Sequence, residues 1–423
     1  MSRARHERGA AYLLALMVAS ITSAAGLAAL SIATTKARTS ILEDDFSRAQ
    51  LNARSGSEHA MRTLAASIAD GTGWRANLSG LVHWQDVDRG QFAWRFTEFD
   101  GSTLLDNGDG PVRLAVRGVH SEARYRVEAT FVPSGDPLDV LEVGLYCGND
   151  LYFGAGATIT SDVAIATGAN ADAPLGSTIN ADVEAVGTIN GSTYSGTTTA
   201  GASARRLPDP SLVTYYNTRG TVIPLASLPN VLGTRYLQDV LLSDASNPYG
   251  TPNEEGIYIV DCAGANIVVT RCRIVGTLVL INPGLFSTIG AGVLIQGDKP
   301  YMPALVVDGS ITFAGTTAGP DEAASGINFN PEHTPYLGDG DDDQVDAYPS
   351  GLRGLVYVDG DMTFAFPRMD FVGTVIATGR SSALAGATIT IQHDPQIPTL
   401  PPVGAFVDEG AVALDPESWI WTW

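Results

Sequence analysis

The stretch Asp339-Gly340-Asp341-Asp342-Asp343-Gln344-Val345-Asp346 is a dense run of side chains able to hold a metal. Asp at alternate positions lets one loop turn several carboxylates onto a Ca²⁺ ion, which takes about six to eight oxygen ligands. Asp339, Asp341, Asp343 and Asp346 are the ligand candidates, and calcium is the one cofactor this sequence offers. Gln344 stands where an EF-type loop needs glycine, and Ser350 where it needs a bidentate glutamate, so the plainer reading is a solvated acidic turn.

Glycoside cleavage by paired carboxylates is the second chemistry to weigh. Asp308, Asp359 and Asp361 stand at the ends of β-branched runs and would face outward there. Beyond residue 150, however, His333 and His393 are the only histidines and Lys299 the only lysine, which leaves little for proton abstraction. No catalytic residue is assigned, and the chain reads as non-enzymatic. The competing class is an exported polysaccharide lyase or hydrolase carrying an anchor.

Three cysteines, Cys147, Cys262 and Cys272, cannot close a disulfide framework, and no Cys-x-x-Cys spacing offers a metal site. The net charge is −21. The first eighty residues carry 9 Lys+Arg against 6 Asp+Glu, and the remainder 16 against 40. So acidic a body repels nucleic acid.

The elements that hold these side chains are short apolar beats. Val163-Ala164-Ile165, Ile257-Tyr258-Ile259-Val260, Leu278-Val279-Leu280-Ile281, Leu305-Val306-Val307, Leu355-Val356-Tyr357-Val358 and Ile389-Thr390-Ile391 recur with Gly, Asn or Asp between them and no intervening helical pattern. That spacing predicts a right-handed parallel β-helix or solenoid over residues 137–400, with Cys262 and Cys272 in the interior stack. A β-sandwich is the alternative.

At the other end, Arg3, Arg5 and Arg8 precede a run from Gly9 to Thr35 with no charged side chain. At about 1.5 Å per helical residue it is long enough for a hydrocarbon core of about 30 Å. Leu42, Phe46, Ala49, Ala53, Gly56, Ala60 and Leu64 then recur at helical spacing, which predicts one helix over residues 10–70, half in a membrane and half outside. The basic tip over residues 1–9 places the N-terminus in the cytoplasm and the body in the periplasm or outside the cell. Strand-like alternation follows at Gln91–Thr97, Ser102–Leu105, Val112–Val119 and Arg124–Val132, with a turn signal at Asn107–Gly110. These make residues 71–136 an antiparallel unit, and a chain starting near residue 74 would be soluble.

The order Arg8-Gly9-Ala10-Ala11, an apolar helix, then Ser40-Ile41-Leu42-Glu43-Asp44 and Ser57-Glu58-His59-Ala60-Met61-Arg62 resembles the N-terminal region of PilX-type minor pilins, accessory subunits of type IV pili. The resemblance covers about the first seventy residues. It implies cleavage after Gly9, Ala10 as the mature N-terminus, and a pilin-like α+β unit. It also implies partners among other pilin-like subunits or inner-membrane assembly proteins. Major pilins carry glutamate five residues after the cut, where this chain has Leu14. The whole is then mainly β with a long N-terminal helix, a single-pass surface protein of pilus or pseudopilus assembly or of adhesion, with a surface glycan as a further partner class.

Residues 401–423 form a tail that follows Pro395, Pro398, Pro401 and Pro402 and ends Trp419-Ile420-Trp421-Thr422-Trp423. Alternate tryptophans share one face of an extended chain. Trp419, Trp421 and Trp423 are interaction candidates, expected to lie along the solenoid as a capping strand.

Overall fold

The computed structural model describes residues 3–69, 73–87, 90–98, 102–104, 111–191, 194–299, 301–365, 367–415 and 418–422. The molecule is mainly β with one long N-terminal helix. It divides into two units, one formed by the chain up to Val132 with Val412–Trp423, the other by Pro133–Ala411.

In the first unit, α1 (Arg3–Ala69) is laid on an antiparallel sheet of β1 (His83–Val87), β2 (Gly90–Glu98), β3 (Val112–His120) and β4 (Ala123–Pro137), in that order. The predicted alternation sets its register. Trp94, Val116 and Val127 stand in one cross-strand row, and all three are buried. Arg95, Ala115 and Glu128 form the adjacent row, pointing to the other face as the period of two requires. β1 lacks alternation and is largely exposed, which is why its sequence gives no strand signal. Ser102–Leu104 forms no strand. The turn expected at Asn107–Gly110 lies outside the described residues.

The short helix α2 (Trp74–Leu78) is pinned to β2 by an Arg75 Nη1–Glu98 Oε1 ion pair of 2.8 Å whose side chains are both 7 % exposed. A charge pair this well shielded keeps its partners only because each satisfies the other.

The second unit is built from parallel ladders. The chain visits three of them in turn, for example at Val356–Asp359, Met362–Phe364 and Arg368–Val372, then again at Val375–Ala377, Ser381–Ala383 and Thr388–Gln392. Each strand pairs in parallel with its counterpart from the previous visit. Two of the three ladders are joined through Asn266–Val275, whose Val268 is in register with Thr288 and whose Cys272 is in register with Val293. Apart from the antiparallel pair Asn230–Val231 with Thr234–Leu242, the ladder strands pair in parallel, which displaces the antiparallel sandwich alternative.

Stacking order does not follow chain order. In one ladder the chain enters mid-stack at Leu145–Cys147 and works outward through Ile165–Thr167 and Val183–Ala185 to Thr198–Ala200. Segment 201–220, which contains a helix at Ser211–Arg219, carries it to the opposite edge at Thr221–Val222. From there it returns rung by rung until Val375–Ala377 pairs with Leu145–Cys147. The helix falls in a stretch that carries Pro208, Pro210, Pro224 and Pro229, where no helical pattern was expected.

Register turns the apolar beats into columns. Leu278, Leu305, Val356, Val375, Leu145, Ile165 and Val183 are successive ladder partners, and each is at most 1 % exposed. Each such side chain contributes about 1.5–3 kcal/mol by leaving water. Phe313 and Phe364 stack at 5.7 Å, with Phe371 edge-on to both. All three cysteines are free and buried. Burial pushes the Cys147 thiol up to about 11 and that of Cys262 up to about 12, so both stay protonated at neutral pH and chemically quiet.

Candidate functional site

Three features carry the candidate functional residues: the long helix, the tryptophan tail and an acidic insertion.

The C-terminal half of α1 fits its sheet because its packed stripe is small. Ala49, Ala53 and Ala60 are fully buried and Leu64 is 3 % exposed. Backbones meet closely at Gly118 of β3, where an added Cβ would come within 2.1 Å of the Ala49 carbonyl oxygen. Asn52 Nδ2 donates to the Val119 carbonyl at 2.9 Å, and Trp94 Nε1 to His59 Nδ1 at 3.1 Å, fixing the helix in rotation and height. Leu42, read from the sequence as part of this stripe, is 61 % exposed and lies off it.

Among the described residues of the other half of α1, large apolar side chains are left exposed. Leu27, Leu30 and Ile32 are 68 %, 62 % and 60 % exposed on a charge-free run. Among the described residues, no helix is long and apolar enough to cross a membrane. The side chains of residues 1–16, where the uncharged run begins, lie outside the described residues. Gly9 and Ala10 sit on helical backbone within α1.

The tail pairs with the first unit, not with the parallel ladders. Ile420–Thr422 runs antiparallel to β4, with Trp421 opposite Val127. Trp421 stacks on Trp419 at 5.5 Å and 13°, meets the Tyr125 ring at 6.1 Å, and lies under the Arg54 guanidinium at 5.8 Å. This corrects the expected solenoid cap: the terminal extended segment adds to the sheet at β4, which Phe406–Leu414 also joins. Trp423 lies outside the described residues.

The acidic insertion runs between Ile311–Phe313 and Gly351–Arg353. Its ends close as an antiparallel pair, Ala318–Asp321 with Ala347–Pro349. It covers the outer face of Asn266–Val275 with Phe329 and Tyr348, packed on Leu241 and Leu294. Beneath it Arg273 is fully buried. Its Nη1 donates to the carbonyls of Phe329 and of Thr334 (2.9 Å), and its Nη2 to that of Pro335 (2.8 Å). The Tyr336 and Tyr348 rings lie 5.3 and 5.9 Å from its Cζ.

The structure redraws the acidic set. Among the described residues, Glu322, Asp343 and Asp346 bring carboxylate oxygens within 4.8 Å of one another. Asp339 and Asp341 are not in that trio. The Asp341 carboxylate accepts the Asp343 N–H at 3.1 Å, and the Asp339 N–H closes a turn onto the Tyr336 carbonyl at 3.0 Å. Glu322 is fully buried and accepts from Phe329 N (2.6 Å), Tyr348 Oη (2.7 Å) and Asp346 N (3.1 Å). Desolvation, then the neighbouring Asp341 and Glu322 charges, raise the pKa of Asp346. Glu322 was not a sequence candidate. Its only local signal is Asp321, which caps a short helix by accepting from Ala324 N at 2.8 Å and so fixes the residue that follows.

Of the outward carboxylates weighed for glycoside cleavage, Asp308 and Asp359 are ladder partners on adjacent rungs. Asp359 accepts from Thr378 Oγ1 at 2.9 Å, and Asp361 from the Arg380 N–H at 2.8 Å. A similar corner ladder runs from Asp150 to Asn170 to Thr188. Asp359 and Asp361 thus satisfy a neighbouring hydroxyl and a turn amide.

No family model and no curated protein matches the chain. Among solved structures it is similar to the competence-associated pilin ComZ from Thermus thermophilus, with 14 % identity over 88 % of this chain and 97 % of that one, at a TM-score of 0.32. A TM-score of that size does not establish a shared fold.

Proposed function

We propose that this chain is a pilin-like, membrane-anchored surface subunit of the type IV pilus or pseudopilus kind, non-enzymatic, with a parallel β-helix as its projecting body. The observation that carries the reading is the division of one helix. Small residues seat Ala49–Leu64 on the antiparallel sheet, whereas the charge-free run before it keeps large apolar side chains exposed. Exposed apolar surface on that scale needs a bilayer or neighbouring helices to cover it. Its Ala, Gly and Ser content lets helices approach closely. In this reading Arg3, Arg5 and Arg8 hold the tip on the cytoplasmic side, a peptidase cuts between Gly9 and Ala10, and other pilin-like subunits meet the free half of α1. The three parallel ladders visited in turn support a β-helix that presents the acidic insertion outward, where a surface glycan or another subunit would meet it.

The helix packing also resets where the chain can be cut. Truncation near residue 74 would strip Ala49, Ala53, Ala60 and Leu64 out of the core. A chain beginning at Thr39 keeps them and loses the uncharged run. It is expected to be soluble and folded without detergent, while the full chain partitions with membranes and resists carbonate extraction. Recovery of the full chain as a soluble protein would reject the anchor.

A further inference from the structure

We propose that the outer face of the antiparallel sheet is a docking surface for a second copy of this chain, which it receives through the acidic insertion of that copy's parallel-ladder unit. Register places Arg95, Arg113, Arg117, Arg124 and Arg126 on this face, opposite the one that meets α1 at Gly118. Asp86 and Glu128 stand against them. Among the described residues, the ion pair on this face joins Arg126 to Glu128, while Arg95, Arg117 and Arg124 enter none. Arg117 lies directly across from Arg126 on the next strand. Like charges so paired destabilise a sheet, so stability does not account for the pair. Trp84, in register with Ala93 and 53 % exposed, lines one shallow groove with Arg95, Arg117, Arg124 and Arg126. Tryptophan and arginine together are the side chains that protein interfaces enrich most.

Charge selects the occupant. The unit Pro133–Ala411 carries 10 Lys+Arg against 30 Asp+Glu, whereas the rest of the chain carries 15 against 16. Within the acidic unit, residues 318–349 hold eight Asp and Glu and no Lys or Arg. Glu332, Asp339, Asp341, Asp342 and Asp343 are exposed there. Leu337 and Val345, 82 % and 72 % exposed, stand among them and supply apolar surface to meet Trp84. Nucleic acid would find the same arginines, but the negative charge of the same chain opposes its approach. A basic face on one unit and an acidic one on the other make a heterologous contact, which builds open filaments when its rotation does not close. The inference rests on the subunit reading above and names what meets the insertion.

The test is sedimentation of the full chain in detergent over a concentration series. Self-association is expected at about 0.1 M salt, and its Kd should rise at least about tenfold at about 1 M, where the Debye length falls from about 10 Å to about 3 Å. Arg95→Glu combined with Arg117→Glu should weaken it as much without lowering Tm, because both positions are exposed and Arg117→Glu faces Arg126 as an opposite charge. Glu332→Lys combined with Asp342→Lys, both exposed, should do the same from the other side. Mixed together, the two variants should pair, since one keeps the arginine face and the other the acidic insertion. Association that survives high salt and both variants would belong to α1, overturning the sheet-face contact while leaving the subunit reading intact. A parent that stays monomeric at low salt would overturn it too, as would duplex DNA bound by a monomeric parent and released by the arginine variant.

Discussion

Replacing Arg273 by leucine is expected to destabilise the parallel-ladder unit by at least about 3 kcal/mol, since it removes three hydrogen bonds from a charged donor, each worth about 1.5–3 kcal/mol before the insertion relaxes. The side chain is fully buried on the outer face of its strand and donates to three main-chain carbonyls of the insertion. Leucine would restore apolar volume but leave the carbonyls of Phe329, Thr334 and Pro335 facing it without donors, each at about 1–3 kcal/mol if it stays dry. The insertion would relieve that by lifting off, exposing Phe329 and Tyr348. Burial lowers the Arg273 pKa, opposed by Tyr348, Tyr336 and Glu322, yet a guanidinium stays charged in any accessible pH range. Lysine should not rescue, because one ammonium cannot span three carbonyls that a planar fork reaches together. Denaturant unfolding and proteolysis across 326–345 read both effects. A loss below about 1 kcal/mol for Arg273→Leu, with the insertion still protected, would show that Phe329 and Tyr348 hold it unaided.

The second large effect is at Gly118. A Cβ there would meet backbone atoms of α1, 2.1 Å from Ala49 O and 2.4 Å from Ala53 N, and Ala53 Cβ at 2.9 Å. A helix backbone cannot yield one atom at a time, so Gly118→Val must push α1 away from β3 and break the Asn52–Val119 bond beside it. Overpacking costs about 1–3 kcal/mol where side chains can adjust, and here they cannot, so at least about 3 kcal/mol is expected. Ala115→Val, on the opposite face of the same strand, should change stability by no more than about 0.5 kcal/mol. Equal losses for the two variants would mean that the helix is not seated on this face.

How much of this the sequence showed depended on whether a feature is local. The stripe Ala49–Leu64 is legible because helix and sheet impose different periods, and only one end of it, Leu42, was misplaced. The β-branched beats are likewise local, and their columns follow once the register is known. The order of the rungs was hidden, because segment 201–220 carries no pattern that says at which edge the chain resumes. The strand His83–Val87 was missed for lack of a buried face, and the tail was read as extended but given the wrong edge. The acidic loop was visible as composition. Its geometry was not, since the Asp339 and Asp341 groups serve local turns while Glu322 and Asn330 reach Asp346 across the insertion.

The claim that α1 is an assembly helix processed like a pilin is tested most directly by the intact mass of the mature chain recovered from its native envelope. The account predicts a chain beginning at Ala10, and a Gly9 substitution that leaves the longer form. A mature chain starting within residues 26–30, or one carrying the unprocessed tip Arg3–Arg8, would contradict it.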